Sequence, residues 1–161
     1  MQFLPLALLT ALLPAAFAFQ HPDFSGSWKF DQPKSMRQAG PDGRVVLAAM
    51  LGEEFVATQD SAALTLVITS AGQKLKATYK LDGTESVNVS PGDIPVKSRA
   101  SWDGDRLVIR STSKTTEKGA PITIESKRVI WLSASGDLII ERTGTPASAV
   151  TPSRSVYSKV K

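Results

Sequence analysis

The sequence predicts an all-β protein, an antiparallel up-and-down meander closed into a barrel, and three observations carry that prediction. Apolar residues alternate with polar ones at period two in roughly nine or ten short segments, which turns one side of each strand toward a core. Tight-turn signals join sequence neighbours: Ala71-Gly72, Asp82-Gly83, Asp103-Gly104-Asp105 and Ala134-Ser135-Gly136. Only residues 44–51, RVVLAAML, favour a short helix, with Gly52 as its cap; an extension of the next strand is the competing reading. Connections that are mostly hairpins favour a closed barrel over a sandwich, and closure leaves no free strand edges.

In order, residues 1–18 carry no charge, are apolar and end in Ala16-Phe17-Ala18, the pattern of a secretory signal cleaved after Ala18. Residues 19–161 then form one barrel domain, long enough to bury roughly two thirds of its unfolded surface. Phe24, Gly26, Trp28 and Phe30 mark the inward face of the first strand. A Pro- and Gly-rich loop follows over Asp31 to Gly43. Further on, Leu64, Leu66 and Ile68 alternate inward, and a two-residue loop at Ala71-Gly72 pairs them with Tyr79, Ala77 and Leu75. A type I′ turn at Asp82-Gly83 then pairs Tyr79 with Ser86 and Ala77 with Asn88, with Lys80 against Glu85 on the outer face. Ser90 to Pro95 reads as a loop. Beyond it Ala100 and Trp102 share a face with Leu107 and Ile109, leaving Arg99, Arg106 and Arg110 outside. Ser113 to Ala120 and Gly144 to Pro152 read as loops, and Arg154 to Val160 closes the chain.

The hairpin from Ile122 to Thr143 decides whether there is a binding site. Gly136 supplies the left-handed position that closes a three-residue loop, so Ser133 faces Asp137 and the count runs outward: Leu132 with Leu138, Ile130 with Ile140, Arg128 with Arg142. Two arginines then share an otherwise apolar inward face. A one-residue slip would instead set Arg128 against Glu141 as an ordinary ion pair.

Gly26-x-Trp28, soon after a signal segment and opening an antiparallel meander, resembles the first-strand motif of the lipocalins, and the predicted mature chain has about that family's length. The resemblance implies that Trp28 plugs the closed end and that an arginine of the last strand, here Arg154, packs over it in a structural role. The chain also looks like small exported bacterial lipocalin-like proteins without known activity. It is similar as well to the intracellular fatty-acid-binding proteins, in the 44–51 segment, the turn Leu81-Asp82-Gly83-Thr84-Glu85 and the closing Val156-Tyr157-Ser158-Lys159-Val160. That family's Arg-x-Tyr pair is missing, because Arg154 and Tyr157 are three apart and point to opposite faces.

Composition narrows the function. There is no cysteine and one histidine, so thiol catalysis, a Ser-His-Asp triad and a His-rich zinc site lack their residues, and no glycine-rich phosphate loop leads into a helix. The prediction is a protein that is not an enzyme and needs no cofactor. His21, third from the predicted mature terminus, offers the one metal site to consider, a square-planar copper or nickel site; chance placement is the better reading. A net charge of +4, from 19 basic and 15 acidic residues, is spread without a stripe, which argues against nucleic acid. A short apolar run broken by Pro5 and Pro14 argues against a membrane span. The function expected is an exported binding protein, periplasmic or extracellular, for a small hydrophobic or carboxylate-bearing molecule. Arg128 and Arg142 would meet its charge, and Tyr79, Asn88, Ser86 and Trp102 would line its site. The alternative is a solid barrel that acts through its surface loops on a protein partner or in the envelope.

Overall fold

The computed structural model describes residues 21–35, 38–39, 45–46, 50–70 and 72–161, so the predicted signal segment lies outside the described residues. The strands are β1 (Gly26–Phe30), β2 (Gln38–Ala39), β3 (Val45–Val46), β4 (Glu54–Gln59), β5 (Ala63–Ser70), β6 (Gln73–Lys80), β7 (Glu85–Ser90), β8 (Ile94–Asp103), β9 (Arg106–Glu117), β10 (Ala120–Leu132), β11 (Leu138–Thr145) and β12 (Ser153–Lys159). Ten of them form one antiparallel sheet in the order β6-β5-β4-β1-β12-β11-β10-β9-β8-β7, while β2 and β3 pair separately. The sheet curls until its two ends, β6 and β7, meet, giving a nearly closed antiparallel barrel. Within the segment expected to be helical, Val45–Val46 is strand and Met50 and Leu51 lie in a bridge and a turn. Residues 44 and 47–49 lie outside the described residues.

Register follows the hydrophobic alternation. Leu64, Leu66 and Ile68 stand opposite Tyr79, Ala77 and Leu75, and Ala100 and Trp102 opposite Ile109 and Leu107. Arg99, Arg106 and Arg110 are exposed on the outer face. Successive hairpin turns alternate between the two ends of the barrel. The end bearing the turns after β4, β6, β8 and β10 is closed by a packed core of Phe24, Trp28, Leu64, Leu107, Leu138 and Tyr157, and the Trp28 indole N–H donates to Phe24 O at 2.9 Å.

Two expectations need correction here. The Asp82-Gly83 turn does not zip β6 to β7. Leu81 N–H donates back to Ala62 O at 2.8 Å, and the Asp82 carboxylate accepts from Thr84 N–H and hydroxyl, so the chain stays with β5 before it leaves. No backbone ladder joins the two strands; Glu85 pairs instead with Lys97 at 3.3 Å, not with Lys80. Ser113 to Ala120 is not a loop either. Its Ser/Thr alternation continues β9 and β10 into a long hairpin that turns on Lys118 and Gly119, both left-handed at φ 49° and 84°.

The role expected of Arg154 belongs to Lys159. Lys159 stands opposite Trp28 and its Nζ lies 5.5 Å from the Trp28 ring centroid. Gly26 makes this contact feasible, since a Cβ there would sit 2.6 Å from Lys159 Cε. Arg154, on the outer face, lies over Trp131 at 5.7 Å, a ring that Arg106 also covers at 4.7 Å.

Candidate ligand-binding site

The β10–β11 hairpin has the register that the Ala134-Ser135-Gly136 loop dictates. Ser133 N–H donates to Asp137 O and Gly136 N–H to Ser133 O, both at 2.9 Å, and Gly136 has φ 80°. Leu132 stands opposite Leu138, Ile130 opposite Ile140, and Arg128 opposite Arg142. Ile130 and Ile140 are buried in the core, so the two arginines, two residues further along, also face inward.

Their surroundings make this a charged interior. Arg128 donates through Nη1 to the Tyr79 hydroxyl at 3.1 Å. The Nε atoms of Arg128 and Arg142 are buried and have no hydrogen-bond partner. Among the described residues no ion pair joins either guanidinium to a carboxylate. Loss of hydration, and then the positive charge of Arg128, lower the Arg142 pKa. Partly buried like charges without an acid between them are an unfinished electrostatic arrangement.

Two cavities meet at Arg128. One, of about 290 Å³, runs from Met50, Leu51 and Gly52 past Ile68, Leu75 and Ala77 to Tyr79, Asn88 and Arg128. The other, of about 300 Å³, contains Arg128 and Arg142 together with Ser90, Ser111, Ser113, Thr115 and Ser126, and apolar Ile94, Val96 and Ile124. Each is near the lower limit of small-molecule pockets. At the inner wall, Tyr157 is fully buried; its hydroxyl accepts from Leu51 N–H at 2.9 Å and donates to Gly52 O at 3.2 Å. Burial pushes its pKa up to about 12.

The structure thus brings together Arg128, Arg142 and Tyr79. Asn88 lines the first cavity, but its amide is spent on β6: Oδ1 accepts from Thr78 N–H at 2.8 Å and Nδ2 donates to Thr78 O at 3.1 Å. Ser86 does likewise, its Oγ accepting from Lys80 N–H at 2.9 Å. Trp102 lines neither cavity. It sits at the closed end, stacked on His21 at 4.3 Å and against Phe24 at 5.6 Å, and His21 Nδ1 is 3.3 Å from Gly104 O. No group of three His, Cys, Asp or Glu side chains suited to a metal occurs among the described residues. The hydroxyls of Ser111, Ser113, Thr115 and Ser126 are the members that sequence reasoning missed. Their signal was the inward parity of β9 and β10, hidden by reading half of them as loop.

No protein-family model matches the sequence, and no curated protein matches it. Solved structures do match in fold. One is the apo crystal structure of Caenorhabditis elegans lipid binding protein 8, with a TM-score of 0.57 and 16% identity over 85% of this chain and 95% of that one. At this identity the likeness establishes the barrel fold. No helix among the described residues is long and apolar enough to cross a membrane.

Proposed function

We propose that this is an exported binding protein, periplasmic or extracellular, that holds a small apolar molecule with a negatively charged group inside its barrel. The observation that carries the reading is the Arg128–Arg142 pair, which shares one cavity and reaches a second through Arg128, with no ion pair to an acid among the described residues. An anionic ligand would supply that charge, while Ile68, Leu75 and Ala77 would cover its apolar part. Tyr79 would orient the head through the hydroxyl already held by Arg128. The solved lipid binding protein of the same fold adds support by analogy.

The test is native mass spectrometry of the protein purified from its own exported fraction. A chain beginning at Phe19 and carrying an extra small-molecule mass is the expected result. Arg128→Ala and Arg142→Ala should each weaken rebinding of that molecule at least about tenfold, since a charge-assisted hydrogen bond contributes on the order of 1.5–3 kcal/mol. Folded variants that bind as tightly as the parent would remove these arginines from the site.

A further inference from the structure

The two cavities that meet at Arg128 differ in chemistry. The one beneath Met50 to Gly52 sets Ile68, Leu75 and Ala77 along one wall, with Tyr79, Asn88 and Arg128 at its inner end and Lys76 and Ser90 also in its lining. The one that holds both guanidiniums is studded with hydroxyls. Two of these are already engaged: Ser90 Oγ donates to Ile94 O at 3.2 Å, and Ser111 Oγ shares a 2.8 Å hydrogen bond with Ser98 Oγ. Those of Ser113, Thr115 and Ser126 have no partner among the described residues. Both Arg128 Nε and Arg142 Nε are buried and without a partner as well.

The charge of this set exceeds what a carboxylate can offset. A carboxylate has two oxygens in one plane that can accept from both guanidiniums, but it carries a single negative charge. It would leave one of the two positive charges uncompensated. A phosphate monoester has three terminal oxygens arranged tetrahedrally and close to two negative charges at neutral pH. It can span two guanidiniums standing on adjacent strands and still reach serine and threonine hydroxyls, which also accept from its protonated form. The neighbouring cavity of about 290 Å³ suits a short to medium apolar tail.

We propose that the barrel binds the phosphate monoester of a short apolar alcohol, with its phosphate between Arg128 and Arg142 in the hydroxyl-lined cavity and its tail in the apolar one. The inference rests on the ligand-binding reading above and names the head group that reading left open.

Isothermal titration calorimetry of the mature chain tests it, with decyl phosphate, decanoate, decanol and inorganic phosphate as probes at pH 7.5 and pH 5. Decyl phosphate should bind at least about tenfold more tightly than decanoate at pH 7.5. That preference should shrink at pH 5, because the second phosphate ionisation lies near about 6. Arg142→Gln should lower the ratio of phosphate to carboxylate affinity. Decanoate binding as well as decyl phosphate would overturn the head-group assignment and leave the binding-protein reading standing. Inorganic phosphate binding as tightly as decyl phosphate would show a free-phosphate site and overturn the role of the tail. Equal binding of decanol would remove the arginines from recognition. Binding of none of the four would count against both inferences.

Discussion

Asn88 stands in for a missing backbone rung opposite Thr78. Its side-chain amide accepts from Thr78 N–H at 2.8 Å and donates to Thr78 O at 3.1 Å, the two bonds a neighbouring strand would make. Together with Ser86 on Lys80 N–H at 2.9 Å, it holds shut the one junction of the barrel that has no ladder.

Asn88→Leu should therefore open this seam more than its size change suggests. It leaves the Thr78 N–H and C=O without partners, at a cost of about 1–3 kcal/mol. Urea unfolding should show a lowered midpoint, and hydrogen exchange at Thr78 should accelerate while the β9–β10 amides stay protected. Unchanged exchange at Thr78 would mean that water, not Asn88, satisfies that strand.

Arg142→Met should stabilise the ligand-free protein. Loss of hydration and the nearby Arg128 both act against the Arg142 charge, and no carboxylate among the described residues offsets it. Exchanging such a charge for an apolar side chain of similar length relieves both effects, so the urea midpoint should rise. The same variant should lose affinity for an anionic ligand, so stability and binding move in opposite directions. A variant that is less stable than the parent would show that Arg142 has a compensating partner.

Tyr157→Phe should cost about 1–2 kcal/mol near neutral pH, because Leu51 N–H and Gly52 O lose their shared hydroxyl. It should also change the alkaline limb of the stability curve. Burial raises the Tyr157 pKa to about 12 in the folded chain, against about 10 when unfolded. Between those values the unfolded chain has released a proton that the folded chain keeps, so stability falls as pH rises. The phenylalanine variant lacks that component, so the gap between the two proteins should narrow through this window. A constant gap would mean that the hydroxyl ionises normally.

The arginine pair is legible in the sequence because a turn fixes it. Gly136 admits one loop closure, and counting outward from Ser133 and Asp137 sets Arg128 opposite Arg142. Period two also gives the inward direction of Asn88, Ser86 and Trp102, yet it carries no information about depth along the barrel axis or about partners. Trp102 points inward but lies at the closed end on His21. Asn88 and Ser86 point inward but bond to β6, because Leu81 N–H donates to Ala62 O and the hairpin does not close. Ser113 to Ala120 shows composition outweighing period. Its polar residues suggest a loop, although Lys118-Gly119 marks a two-residue turn between strands. Arg154 and Lys159 are five apart and so on opposite faces, and only the lysine side meets Trp28.

The joint between β1 and β12 bears on how the barrel assembles. Trp28 meets Lys159 and Phe30 meets Tyr157, residues far apart in sequence, whereas every other adjacent pair in the sheet except β1 with β4 joins neighbours along the chain. Local hairpins can form early at little entropic cost, but this contact requires closure of nearly the whole domain. The seam between β6 and β7 contributes no ladder to hasten it. Ring closure through Trp28 and Lys159 should thus limit the rate of folding, and mutations at that joint should slow refolding in stopped-flow measurements as well as lower final stability.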